Sequence, residues 1–340
     1  MRGLSRMSPR QVSRFAIIAL FSLPWAVRAG ADPLSTAMRA VFDRDAKAVV
    51  KIEAEDDSGP LSGTGFFIDS DGTIYTNYSV GGDSQDIVVS YGAARYPAHR
   101  IAADSRSGLA ILKVEAENTP FLPLGKASSL GAASVVMTIG YPLNLPVTPN
   151  IGCVGGFGIS YGNRYFAVSH IRANVPAQWG EGGAPLLNMD GEVVGILESS
   201  LDGGAGCFVL PIEAAEKVRS DVVRFGEVRP GWLGIRLDKS DAADDTVEVQ
   251  GFMDNSPAAK AGIQPGDVIL QVGGRKIDSL EDVLNAAFYM TAGEQVPLTI
   301  SRGGRLMDIQ VVPSASPLSP PEEASVTPGI NLRVQAETPK

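Results

Sequence analysis

Two histidines and two cysteines are all that 340 residues contain of the side chains most used to ligate metals or to cross-link a chain. Cys153 and Cys207 lie far apart in the sequence, in no Cys-x-x-Cys or Cys/His spacing, which argues against a zinc site. No metal or other cofactor is expected. Long apolar runs are also missing. The longest, Phe15 to Val27, has 13 residues and contains Pro24, short of the roughly 18–20 that a membrane-spanning helix needs. Positive charge is scarce, with 29 basic residues against 38 acidic ones. That balance repels phosphate backbones, and no basic stripe compensates, so nucleic acid is not an expected partner.

What is present begins with a basic N-terminus. Arg2, Arg6, Arg10 and Arg14 precede the apolar run with no acid among them, and Ala29-Gly30-Ala31 follows it. This reads as a secretory signal over residues 1–31, which makes the protein exported, periplasmic or secreted. Removing it leaves 24 basic and 38 acidic residues, a net charge near −14. Export permits a disulfide between Cys153 and Cys207; two small buried hydrophobes are the alternative.

At 44% hydrophobic and 20% charged the composition is globular, and the length suits two domains or more. Short strand-like segments recur between Gly, Asp and Ser turns: 65–68, 73–76, 86–89, 109–112, 134–137, 193–196 and 207–210. They predict antiparallel barrels or sandwiches. A helix over 212–225, with Pro211 before it and Gly226 after it, closes this region. A second unit opens at Arg229-Pro230-Gly231. It carries a strand at 246–249, the turn Gln264-Pro265-Gly266-Asp267, a strand at 268–270 and a helix that Ser279 can cap. Leu280, Val283, Leu284, Ala287 and Phe288 are read onto one face of that helix. From Ser314 the chain turns rich in Pro, Ser and Glu, the composition of a disordered tail.

Four segments, in order, resemble the HtrA/Deg-type exported serine proteases. They are Gly63 to Ile68 with Thr73 to Asn77, Asp104 to Lys113, Gly180 to Asn188, and Phe208 to Pro211. Trp232-Leu233-Gly234-Ile235, Ser256 to Ile263 and Gly266 to Leu270 are similar to the PDZ domain that follows the protease in that family. The resemblance covers roughly 34–313. It implies a mainly β fold: a trypsin-like double β-barrel over 32–225, an α+β PDZ domain over 229–313, and a Pro-rich tail over 314–340.

Carried over residue by residue, the resemblance puts Ser79 where the family has its histidine, Gly108 where it has its aspartate and Gly182 where it has its serine. In that chemistry the hydroxyl attacks, the imidazole carries the proton and the carboxylate orients the imidazole. The substitutions therefore lead to the expectation that the chain is not an enzyme. It would be a pseudoprotease that binds polypeptide as scaffold, regulator or sensor. The alternatives are an active endopeptidase with displaced groups and a decoy subunit of a mixed oligomer. His99 and His170 are read as ordinary surface or half-buried histidines. Gly180 and Gly182 keep the backbone N–H groups of the family's oxyanion loop, which either stays open or is filled by Trp179 or Glu181. The PDZ resemblance implies capture of an apolar free C-terminus by Trp232, Leu233, Gly234 and Ile235, with Val283 and Ala287 around its last side chain. The alternative there is an occluded groove. A trimer is the assembly that the resemblance implies.

Overall fold

The computed structural model describes residues 33–161, 164–239 and 246–316. The signal expected over 1–31, and the expected tail beyond Ser316, lie outside the described residues. After helix α1 (Pro33–Asp45), six strands close into a barrel: β1 (Val49–Asp56), β2 (Gly59–Phe67), β3 (Thr73–Asn77), β4 (Gln85–Tyr91), β5 (Ala94–Asp104) and β6 (Leu109–Val114). Their order around it is β1-β2-β3-β6-β5-β4. Short helix α2 (Tyr78–Gly81) follows β3 directly. A second closed barrel contains β7 (Val135–Gly140), β8 (Thr148–Tyr161), β9 (Arg164–Ala173), β10 (Pro185–Leu187), β11 (Val193–Leu201) and β12 (Gly206–Pro211). The expected double barrel is therefore present.

Adjacent Phe66 and Phe67 show why these strands read as apolar runs instead of alternating. Both are fully buried, yet side chains of neighbouring strand residues point to opposite faces. Phe67 packs inside the first barrel with Val50, Ile52, Ile74 and Leu112. Phe66 packs outside it, in a cluster with Tyr75, Ile111, Met137, Ile139 and Val193 that joins the two barrels. Helix α3 (Ile212–Phe225) lies on this junction. Its Pro211 and Gly226 boundaries match the expectation, with Gly226 at φ 77° receiving the closing turn.

The C-terminal unit is a sheet in the order β13-β14-β15-β17-β18, with β16 paired to β15. Its strands are β13 (Ile235–Lys239), β14 (Val247–Phe252), β15 (Val268–Val272), β16 (Arg275–Lys276), β17 (Val296–Arg302) and β18 (Arg305–Val311), with helices α4 (Pro257–Lys260) and α5 (Leu280–Phe288). Ser279 caps α5 by accepting from the Asp282 N–H at 3.2 Å. The single-face reading of α5 needs correction, because the helix is wedged between two bodies. Glu281 accepts from Ser160 Oγ at 3.0 Å, Asn285 Oδ1 accepts from the Ser169 N–H at 2.9 Å, and Phe288 enters the barrel-junction cluster. Ala286 belongs to the C-terminal core. Leu284 remains exposed.

The cysteines also resolve. Ala173 on β9 pairs with Cys207 on one side and Val154 on the other, so β9 lies between the two cysteine strands. Two strand spacings are roughly 9–10 Å, beyond the roughly 7 Å limit for a disulfide. Both thiols are free. Burial pushes the Cys207 thiol up to about 12, and the nearby Glu181 carboxylate adds to the rise.

Candidate functional site

The fold brings positions 79, 108 and 182 together where the barrels meet. The Tyr78 N–H donates to the Gly108 carbonyl at 2.6 Å, which ties the start of α2 to the turn before β6. Asn77, at the end of β3 and 2% exposed, donates through Nδ2 to Ser79 Oγ at 2.8 Å and to the Glu198 carbonyl at 3.2 Å. A Cβ on Gly182 would stand 2.7 Å from the same Nδ2. A Cβ on Gly108 would stand 3.0 Å from the Glu198 side chain, at φ +79°. The Asn77 amide and the Glu198 carboxyl thus fill the spaces beside the two glycines. Neither residue stood out in the sequence, since neither lies at a position to which the resemblance assigns a role.

Glu198 on β11 also faces His170. His170 is 2% exposed, its ring stacks on Phe166 at 4.0 Å, Nδ1 lies 2.9 Å from the Val168 carbonyl, and Nε2 lies against Glu198 Oε2. A surface or half-buried histidine was expected. β9 is buried by the second barrel and by α5 together, and that places His170 in the interior beside the cleft. His99 is exposed on β5.

The loop before β10 is held from behind. The Trp179 carbonyl accepts from the Leu143 N–H at 2.7 Å, the Gly180 carbonyl from Thr64 Oγ1 at 2.7 Å, the Glu181 carbonyl from the Ala184 N–H at 2.9 Å and the Gly182 carbonyl from the Thr64 N–H at 2.8 Å. In a trans peptide the N–H points opposite to the C=O. The Gly180 and Gly182 N–H groups therefore point away from these anchors, and neither donates to a backbone acceptor among the described residues.

Glu181 is fully buried in this loop, accepting from Asn150 Nδ2 at 2.6 Å and from the Gln178 N–H at 2.7 Å. Burial raises its pKa above the ordinary 4.5, against the pull of those two hydrogen bonds. A carboxyl that holds its proton to higher pH when folded than when unfolded makes stability fall as pH rises through that interval. Glu181→Gln removes this titration. Its melting temperature should fall less than that of the parent between about pH 5 and pH 7, and parallel curves in a thermal melt series would count against Glu181 as the titrating group.

The second candidate site is the edge of β13, which among the described residues pairs only with β14. Carbonyls again fix the direction of the N–H groups. The Trp232 carbonyl accepts from the Ser314 N–H at 3.1 Å, that of Leu233 from Ser256 Oγ at 2.8 Å and that of Gly234 from the Met253 N–H at 2.9 Å. The N–H groups of Leu233, Gly234 and Ile235 point the opposite way. Trp232 itself is already engaged, since its N–H donates to the Ser314 carbonyl at 2.8 Å. Of the four loop residues it is the one whose donor is used up, because the chain after β18 returns beside it. Leu233 is turned into the core, while Ile235, Val283 and Ala287 are half-buried against it. Leu284, one turn after Leu280 and 58% exposed, completes the open stripe of α5; the sequence placed it on the apolar face of the helix and gave it no part in ligand capture. The faces of α5 that meet the barrels and that meet the groove differ, so docking leaves the groove uncovered.

Residues 63–196 match the family model described as a trypsin-like peptidase domain, and residues 231–312 match that of a PDZ domain. The chain is 31% identical over 294 residues to a probable periplasmic serine endoprotease DegP-like of Chlamydia pneumoniae, covering 82% of this chain and 60% of that protein. It is 34% identical over 269 residues to a protein of the same description from Pseudomonas fluorescens, covering 75% and 56%. It thus spans less than two thirds of the length of these curated relatives. Among solved structures, the HtrA-type protease AlgW with tripeptide superposes with a TM-score of 0.69 at 21% identity, over 83% of this chain and 98% of that one. A serine endoprotease from Yersinia pestis gives a TM-score of 0.59 at 26% identity, over 82% and 97%.

These relatives overturn the expectation that the chain is not an enzyme, because they are named as serine endoproteases. That expectation rested on three side-chain identities taken one at a time. A cleft acts through all the groups the fold gathers in it, and here these include Asn77, Ser79, Glu198 and two oriented N–H donors.

Proposed function

We propose that this chain, a trypsin-like peptidase plus PDZ protein of the HtrA/DegP-type family, works in the periplasm by capturing polypeptides through the edge of β13, taking an apolar free C-terminus as an added strand. The observation that carries this reading is the set of three outward N–H groups at Leu233, Gly234 and Ile235, beside an open strand edge and the apolar stripe of α5. A carboxylate gathers such donors, and the strand behind them pairs with the residues that precede it. Ala287 is small and leaves room for a terminal Val, Leu or Phe.

The expected result is a preference for acid over amide termini. Hydrogen bonds to a charged group contribute roughly 1.5–3 kcal/mol, about 10- to 150-fold in affinity. Calorimetry on the whole chain, with paired acid and amide peptides ending in Val, Leu or Phe, measures this directly. Equal affinity for the two forms, or none for either, would sink the reading.

Endoproteolysis is the second reading, favoured by the relatives' names and by the Gly180 and Gly182 donors aimed away from their anchors. Ser79 is then the hydroxyl in the cluster. Casein hydrolysis and fluorophosphonate labelling that both vanish in Ser79→Ala would support it, and absence of both in the parent would end it.

A further inference from the structure

Among the described residues the edge of β13 is open, beside a helix stripe whose Leu284 is 58% exposed. An unpaired strand edge is a template for any strand that can reach it. A route to it within the same chain is short. Beyond β18 the chain bridges Trp232 through Ser314, each N–H donating to the other's carbonyl, and the described residues end two positions later at Ser316. Trp232 stands three residues before Ile235, where β13 begins. At about 3.4 Å per residue and about 4.8 Å across the bridge, the start of the open edge lies within roughly 20–25 Å of Ser316.

The sequence beyond Ser316 holds a segment that fits. Ile330-Asn331-Leu332-Arg333-Val334-Gln335-Ala336-Glu337 alternates apolar and polar without a break and without proline, the pattern of a strand with one apolar face. The 13 residues of 317–329 that separate it from Ser316 reach about 43–47 Å at full extension, well beyond the distance to be crossed. In a strand, Ile330, Leu332 and Val334 would recur every 6.6–6.8 Å or so, close to the rise of about 6 Å from Leu280 to Leu284 along α5. Arg333 meets no like charge on a helix that opens with Glu281 and Asp282. We infer that residues 330–334 dock on the β13 edge of their own chain as a tethered strand, an inference that rests on the reading of that edge as a polypeptide site. The segment offers backbone and apolar side chains but no carboxylate to the N–H groups of Leu233, Gly234 and Ile235. It is a weak occupant held at an effective concentration on the order of millimolar. The result is a threshold: an acid-terminated peptide brings the extra hydrogen bonds that displace the strand, and an amide-terminated one does not.

The test compares the whole chain with Leu332→Asp and with Asn331→Asp, which add the same charge to opposite faces of the strand. In Leu332→Asp the paired acid and amide peptides ending in Val, Leu or Phe should both bind about three- to tenfold more tightly, and by the same factor, because a competitor has been removed for both. Asn331→Asp should bind them as the parent does. With no peptide added, the amide resonances of Ile235, Leu237 and Leu284 should move in Leu332→Asp and stay in place in Asn331→Asp. Unmoved resonances and unchanged affinity in Leu332→Asp overturn the inference and leave the β13 reading intact. Equal effects of the two variants overturn it as well, since a strand has two faces. A difference that fades on dilution puts the segment on a second copy and overturns the tether. If the resonances move but no peptide binds any of the three chains, the docked strand stands and the capture of free C-termini falls.

Discussion

Asp221→Ala should cost about 3–5 kcal/mol and loosen the C-terminal unit from the barrels. Asp221 sits on the last turns of α3 and is 1% exposed. It accepts from Lys217 Nζ at 2.6 Å, from the Arg229 N–H at 2.9 Å in the connecting segment, and from Thr291 Oγ1 at 2.9 Å in the PDZ unit. One carboxylate thus ties together the helix that ends the barrels, the linker and the following domain. Removing it strands an ammonium, an amide and a hydroxyl in a buried joint. Asn should cost less than Ala, because its oxygen can serve Lys217 and Arg229 while its NH2 donates to Thr291 Oγ1, a hydroxyl that accepts as well as donates, and only the negative charge is lost. Urea denaturation should place both variants below the parent, Ala further than Asn. Protease digestion should begin to cut at 226–230, where the parent resists. Retained resistance in both variants would mean that Phe288 and the Arg224–Glu294 pair hold the joint without Asp221.

Gly183→Ala should be of similar size and strike the cleft itself. Gly183 has φ +87°, a region that a side chain enters at about 1–3 kcal/mol. An added Cβ would lie 2.2 Å from the Thr64 carbonyl oxygen, 2.2 Å from Thr76 Oγ1 and 2.9 Å from the Asn77 backbone nitrogen. Backbone atoms of β2 and β3 cannot give way by an ångström, and overpacking of this kind adds about 1–3 kcal/mol. Together the effects come to about 3–5 kcal/mol. Gly203 at φ +69°, with nothing within 4 Å of an added Cβ, is the matched control. Its alanine variant carries the conformational strain alone and should lose about 1–2 kcal/mol. Equal losses in the two variants, measured by chemical denaturation, would show that β2 and β3 do not press on the loop.

The Phe66-Phe67 pair and α3 with its Pro and Gly boundaries were legible in the sequence because strand runs and helix caps are local patterns. The long strand β8 was not. Its 14 residues include four glycines and a proline and read as turns. It forms because both neighbours, β7 and β9, pair along it. A ladder supplied from two sides outweighs weak intrinsic preference. The candidate sites divide in the same way. Gly180, Gly182 and Gly234 could be found by their order along the chain, since backbone donors need no particular side chain.

By itself the sequence determined the barrel strands, the boundaries of α3 and the acidic balance, all set by composition and by short-range spacing, and it made the PDZ unit legible through its resemblance to a family. Only the tertiary structure decided the rest. It placed the Asn77 amide beside Gly182, put His170 in the interior against Glu198, separated Cys153 from Cys207 by a strand, engaged Trp232 with Ser314, and gave Leu284 to the groove and Phe288 to the barrels. The physical reason is common to all five. Each depends on what packs across from a residue, and that partner lies from about 20 to more than 170 residues away in the chain, at distances where no pattern along the sequence carries information.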